Sequence, residues 1–311
     1  MLRLIFIGLL AGLFFSSTFI LNRVMSLEGG HWIWSASLRY AYMILFLTAW
    51  FIVFKGTTAL AQVLRVFIRN WIFWTLAGSV GFGLFYALIC FSADHAPGWV
   101  VAATWQFTII ATLLVLLFFG RSFPMRTWGF SVLVFSGVLM VNLGQAENTG
   151  VPELIAGAVP VLIAAFCYPL GNQMVWEATN GNRRLPDVSS PALETPFARV
   201  LLMSLGSLPL WGLLLAVTTP APPSAGQLLN TALVALFSGV AATSLFLQAR
   251  NLSKTAGELA AVDATQSSEV LFALLGETVI IGAALPDLFS ILGILITCTG
   301  ITLFVWFQDQ S

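Results

Sequence analysis

Three polar side chains, Asp263, Gln266 and Glu269, stand close together inside Gly257 to Glu277, a stretch otherwise largely apolar and long enough to cross a bilayer. One acidic residue at the centre of a spanning helix costs at least about 2.5 to 3.5 kcal/mol, so such residues face a protein interior or a water-filled cavity and act there. At 100° per residue, Glu258, Thr265 and Glu269 fall within roughly 40°, and Gln266, Asp263 and Ser267 widen the arc to about half the circumference. Ala260, Ala261, Ala264, Leu271 and Leu275 lie on the opposite side. The spacing predicts one helix with a face towards a polar path and a face towards other helices or lipid. Gln266 and the serines also suit plain interhelical hydrogen bonding, at about 0.6 kcal/mol a bond. Glu269 suits that role less well, because a neutral amide would pack there with a smaller desolvation penalty.

The chemistry open to such an acid is proton exchange: a carboxyl withdrawn from water gives up its proton as a cationic solute arrives and takes one when the solute leaves. On this reading Glu269 and Asp263 couple protons. An intramembrane enzyme using the same two carboxyls is the competing chemistry, but they stand roughly 120° apart on one helix and no nucleophile motif accompanies them. No enzymatic activity is expected.

The rest of the chain is built to hold such a helix in a membrane. Of its 311 residues 59% are hydrophobic and only 8% charged, which is too apolar for an ordinary soluble domain. A net charge of zero without Lys/Arg clusters excludes a nucleic-acid surface. Cys90, Cys167 and Cys298 are scattered singly and His31 and His95 lack ligand spacing, so neither a disulfide framework nor a metal or other cofactor is expected. Ten apolar runs of spanning length lie at 4–22, 32–54, 70–92, 98–119, 127–144, 153–176, 195–217, 229–249, 258–280 and 287–307. Turns join them, among them Lys55 to Arg69 and the longer loop near 178–194. The fold class is therefore an all-α membrane protein of ten transmembrane helices. Arg3, Lys55, Arg65, Arg69, Arg121, Arg126, Arg183, Arg184, Arg250 and Lys254 fall on the side of the N-terminus and Arg23 on the other, which predicts both termini in the cytoplasm.

The two halves match. FSSTFILNRV from Phe15 aligns with AFCYPLGNQM from Ala165, setting Asn22 opposite Asn172. SASLRYAYM from Ser35 aligns with TPFARVLLM from Thr195, setting Arg39 opposite Arg199, and TWQFTII from Thr104 aligns with ATQSSEV from Ala264, setting Gln106 opposite Gln266. Five helices per half is an odd number, so the second half enters the membrane from the opposite side: residues 1–146 and 147–311 form an inverted pair of repeats. Such halves enclose a site near the midplane and rock about it. Candidate wall residues are Asn22, Trp105, Gln106, Thr108, Tyr168, Asn172 and Gln266, beside Asp263 and Glu269. Pro160, Pro169 and Gly171 predict a kink in the sixth helix. Arg39 and Arg199, a few residues inside their helices, either snorkel and hold carbonyls or meet an anionic group of the substrate.

The chain resembles the drug/metabolite transporter superfamily, in its ten-helix EamA-type form and multidrug-efflux branch, over nearly its whole length. The resemblance is carried by Arg39 and Arg199 in the first turns of their helices, by GFGLFYALICFSADHAP in the third, by the Gly276-Glu277 pair and by the glycine-spaced last helix from Gly293 to Gly300. It implies a bacterial inner-membrane exporter of small organic solutes, coupled to protons, with the site between the halves. The chain departs from the family in having Gln106-Phe107 and Gln266-Ser267 where a proline is usual, and in lacking an acid in its first helix. Trp105 and Tyr168 would receive a lipophilic or cationic drug through apolar and cation-π contact. The alternative cargo is an amino acid or other zwitterion whose charges pair with a carboxylate and with Arg or a helix N-terminus. The partners expected are that substrate, protons and the lipid bilayer, around a monomer or homodimer.

Overall fold

The computed structural model describes residues 2–121, 125–181 and 184–308. Arg183 and the side chains of Arg126 and Ala260 lie outside the described residues. The helices are α1 (Leu2–Leu27), α2 (Trp32–Phe54), α3 (Thr57–Arg69), α4 (Trp71–His95), α5 (Gly98–Phe118), α6 (Met125–Thr149), α7 (Val151–Thr179), α8 (Pro196–Thr218), α9 (Ala225–Leu252), α10 (Ala256–Ala264), α11 (Ser268–Ile280) and α12 (Leu288–Gln308). No strand occurs among the described residues. Nine of these helices, all but α3, α10 and α11, are long and apolar enough to cross a membrane. Phe6, Phe54, Phe118 and Val279 stand exposed on the outside of the bundle, as lipid-facing side chains would.

Two sequence expectations are corrected. The segment from Lys55 to Arg69 is not a turn: α3 forms because Leu60, Val63, Leu64 and Phe67 recur at helical spacing, and Val63 is buried. The stretch from Gly257 to Glu277 is not one helix. It breaks in a tight turn at Thr265–Ser267 between α10 and α11. There the hydroxyls of Thr265, Ser267 and Ser268 donate to the carbonyls of Val262, Ala264 and Thr265, three residues back, at 2.6 to 2.8 Å. Side chains that bind the preceding turn favour a locally tightened backbone over a regular α-helix.

Four other helices depart from regularity where the cavity described below will lie. In α5 the backbone tightens at Gln106 and Phe107, whose N–H groups donate to Ala103 and Thr104 at 3.2 and 3.0 Å. In α4 and α9 it widens into π-helical turns over Ser79–Leu84 and Ala235–Ala242. Helix α7 contains Pro160 and Pro169 within its length. Pro169 leaves the carbonyl of Ala165 without its helical donor, and Thr108 Oγ1 donates to that carbonyl at 3.3 Å.

The helices pack in a definite pattern. Helix α6 lies along α12; α4 packs on α7 and α8, α1 and α2 on α9, α5 on α7, α1 on α11, and α2 on α8. Glycines permit the closest crossings: a Cβ on Gly81 would come 2.8 Å from the Cα of Gly171 in α7, and one on Gly137 would come 2.6 Å from the carbonyl oxygen of Gly293 in α12. The core between α2, α4 and α8 centres on Tyr40, which stacks on Trp211 at 5.7 Å and meets the edge of Tyr86 at 5.9 Å.

Candidate functional site

A cavity of about 250 Å³ sits in the middle of the bundle. Helix α1 contributes Thr18, α2 Arg39, α4 Phe85, α5 Trp105, α7 Tyr168 and α11 Glu269. Phe85 joins the two aromatic residues singled out from the sequence, with its ring 5.0 Å from Trp105 and 5.1 Å from Tyr168, and these two are 5.8 Å apart. Glu269 is buried, at 7% exposure, and its carboxyl hydrogen-bonds none of the described residues.

A second space of about 570 Å³ shares Thr108, Tyr168, Asn172 and Gln266 with the first. It continues past Leu116 of α5, Trp176 of α7 and Arg199 of α8. Each of those residues lies within about one turn of its helix end, so the combined space runs from the middle of the bundle towards one of its ends. The opposite end is tightly closed. There Glu277 accepts the first N–H groups of α5 on its carboxylate, Gly98 at 2.7 Å and Trp99 at 3.3 Å, while Arg23 donates to the carbonyl of Ala93 at 2.8 Å. Gly98 is required there, since a Cβ would stand 2.6 Å from the carbonyl oxygen of Phe19.

Arg39 does not snorkel. Its guanidinium carbon lies 4.1 Å from the ring centroid of Tyr86, and its terminal nitrogens donate to Thr18 Oγ1 at 3.4 Å and Ser238 Oγ at 3.1 Å. Arg199 donates from Nε to the carbonyl of Leu193 at 3.1 Å and borders the larger space.

Of the sequence candidates, Arg39, Trp105, Thr108, Tyr168, Asn172, Gln266 and Glu269 meet at the central cavity. Asn22, Gln106 and Asp263 border neither space. Asn22 donates to the hydroxyl of Tyr86 at 3.0 Å, Gln106 donates to the carbonyl of Ala102 at 3.2 Å, and Asp263 pairs with Arg250. Sequence reasoning missed Tyr86, Ser238 and Phe85. A tyrosine in the apolar run of α4 was the one available signal, since a phenol placed in a membrane needs a partner.

The comparisons agree with a transport role. The family model described as "EmrE: Putative multidrug resistance efflux transporter" matches residues 2–310. The chain is 41% identical over 319 residues to "Uncharacterized protein YjlA" of Bacillus subtilis (strain 168), covering 97% of this chain and 94% of that one. It is 36% identical over 284 residues to "Uncharacterized 42.1 kDa protein in intracellular alkaline protease 3'region" of Shouchella clausii, covering 86% and 70%. A solved structure titled "Crystal structure of protein" superposes with a TM-score of 0.59 at 15% identity over 97% of this chain and 95% of its own, a likeness of fold.

Proposed function

The chain belongs to the EmrE-like family of multidrug efflux transporters, in the drug/metabolite transporter superfamily, and from that premise we propose that it is a proton-coupled secondary exporter of small organic solutes. The observation that carries this reading is Glu269: a buried acid, bordering a cavity that continues towards one end of the bundle, with no hydrogen-bond partner among the described residues. An acid so placed can trade a proton for cargo.

Alternating access follows from the internal pairing. Counting α10 with α11 as a tenth crossing gives five crossings per half, joined near the α6–α7 turn, and an odd number inverts the second half. Exchanging α1, α2, α4, α5 and α6 for α7, α8, α9, α10/α11 and α12 carries the main contacts between the halves into one another, which supports the inverted pairing: α4 on α7 becomes α9 on α1, α4 on α8 becomes α9 on α2, and α5 on α7 becomes α11 on α1. The irregularities correspond as well. The tight turns fall at Gln106 and at Thr265–Ser267, and the π-helical turns in α4 and α9. The contacts of α5 with α1 have as their image α10/α11 with α7, and between Gln266 and α7 lies the larger space. The two halves thus differ in how far they have closed, and interchanging their conformations would close that space and open the latched end.

Lysines and arginines concentrate at the open end, and this asymmetry supports a cytoplasmic position for that end and for both termini, in a bacterial inner membrane. The test uses proteoliposomes loaded with a pH-sensitive dye under an imposed proton gradient. Amino acids, polyamines, nucleobases and lipophilic cations are each added in turn. Some members should draw protons across the membrane through the unaltered protein and none through Glu269→Gln. Proton movement in the variant equal to the parent's, or none with any solute in the parent, would overturn the reading.

A further inference from the structure

Resting on the reading that the central cavity is the solute site, we infer that the solute carries a carboxylate and that Arg39 receives it. The cargo is then a lipophilic or aromatic carboxylate, as an anion or a zwitterion, and not a lipophilic cation.

The charges along the route carry the argument. Among the described residues, Arg39, Arg199 and Glu269 are the charged ones that border the two spaces. Arg121 stands close to the opening, 5.2 Å over the ring of Trp176. A solute entering from the open end thus passes guanidiniums and meets one acid. Such a field draws anions and repels permanent cations, most strongly where low-dielectric walls confine it.

Arg39 is also incompletely matched. A guanidinium has five N–H donors. Here two hydroxyls and a tyrosine ring meet it, none of them negative, and Nε is buried without a partner. Among the described residues no carboxylate lies within ion-pair distance of it. A buried cation held only by neutral groups lacks the counter-charge that would offset its desolvation, and a carboxylate fits the planar donor fork. Contacts from α1, α4 and α9 hold Arg39 in place, so its position does not depend on an anion already being bound. Phe85, Trp105 and Tyr168 line the same cavity and would take the apolar body. Glu269 borders it too and would receive an amine where the solute has one.

The test is equilibrium binding to the purified protein, followed by tryptophan fluorescence and thermal shift. Four related probes are used: 3-phenylpropionate, phenylalanine, phenylalaninamide and tetraphenylphosphonium. At least one of the two carboxylates should bind saturably; phenylalanine alone indicates a zwitterion, and phenylpropionate alone an anion. Phenylalaninamide and tetraphenylphosphonium should not bind. Arg39→Lys, which keeps the charge and loses the fork, should weaken carboxylate binding about tenfold or more, and Arg39→Gln should abolish it. The inference is overturned by equal binding of phenylalanine and its amide, by tetraphenylphosphonium binding, by failure of both carboxylates, or by a folded Arg39→Lys protein that binds them as the parent does. Should both variants unfold, probe selectivity in the unaltered protein still decides. Carboxylates that bind through Arg39 yet move no protons in proteoliposomes would uphold this inference and remove proton coupling. Proton exchange driven by tetraphenylphosphonium and indifferent to Arg39 would do the reverse.

Discussion

Glu277→Gln tests the latch at the closed end of the bundle. The carboxylate of Glu277 accepts from Gly98 N at 2.7 Å and from Trp99 N at 3.3 Å, and the residue is 1% exposed. Hydrogen bonds to a charged group contribute about 1.5 to 3 kcal/mol against about 0.5 to 1.5 for neutral ones. An anion at a helix N-terminus adds about 0.3 to 1 kcal/mol. The second bond is long, so the first and the charge dominate. Glutamine keeps one acceptor of the same shape but turns its NH₂ group towards a second N–H donor. The closed end should lose about 2 kcal/mol, or roughly 30-fold in the ratio of closed to open forms. The assay places a reporter at Thr18→Cys, on the cavity wall, after replacing Cys90, Cys167 and Cys298. A membrane-impermeant maleimide is then added from the side of the latch. Labelling should accelerate by an order of magnitude or more in Glu277→Gln, with solubility and helix content retained. An unchanged labelling rate in the folded variant would refute the latch.

Three further outcomes can be measured independently. Thr108→Val should destabilise the fold by about 1 to 3 kcal/mol, the cost of leaving the Ala165 carbonyl, already freed by Pro169, without a donor, and so lower the melting temperature, whereas Thr108→Ser should stay close to the parent. Gly137→Ala should destabilise the pairing of α6 with α12, since the added methyl would press on the Gly293 carbonyl at 2.6 Å and on Thr297, while Gly129→Ala, with open space around it, should not. Asp287 caps α12 by accepting from Ser290 N at 3.0 Å, and the Ser290 side chain first, with this backbone bond, holds its carboxyl below the ordinary range. A depressed folded pKa means that the cap contributes above the unfolded value, about 3.9, and is lost as pH falls through the folded one. Asp287→Ala should therefore lower thermal stability at neutral pH and converge with the parent in strong acid.

Much of the architecture was legible because span length and hydrophobicity are set by the bilayer itself. The second span was expected at 32–54 and is Trp32–Phe54, and the seventh was expected at 195–217 and is Pro196–Thr218. The break at Thr265–Ser267 was not legible, since serine and threonine read equally as packing polar groups and as hydroxyls that tighten their own backbone. Helix α3 escaped because its charges, Arg65 and Arg69, look like a loop until the intervening apolar spacing is weighed against them. At the cavity, Glu269 was legible from polarity at depth, and Trp105 and Tyr168 from the polar residues beside them on matched helices. Asp263 shares that signal, but its ion pair with Arg250 depends on how α9 turns back upon α10, a tertiary fact with no local trace. For Arg39 snorkelling was one of the visible alternatives, and the position of Tyr86, a tertiary fact, excludes it.

The widened turns of α4 and α9 equip the walls to move. Each carries a surplus residue relative to ordinary helical register, and passing that surplus one place along requires only that neighbouring amides change carbonyl partners. Every side chain overtaken swivels by about 100°. Phe82 and Ser238, which supports Arg39, both lie within these turns and border the cavity. The lining can thus be re-aimed by a migrating defect while the backbone stays bonded, in a solvent that offers no water to replace a lost bond.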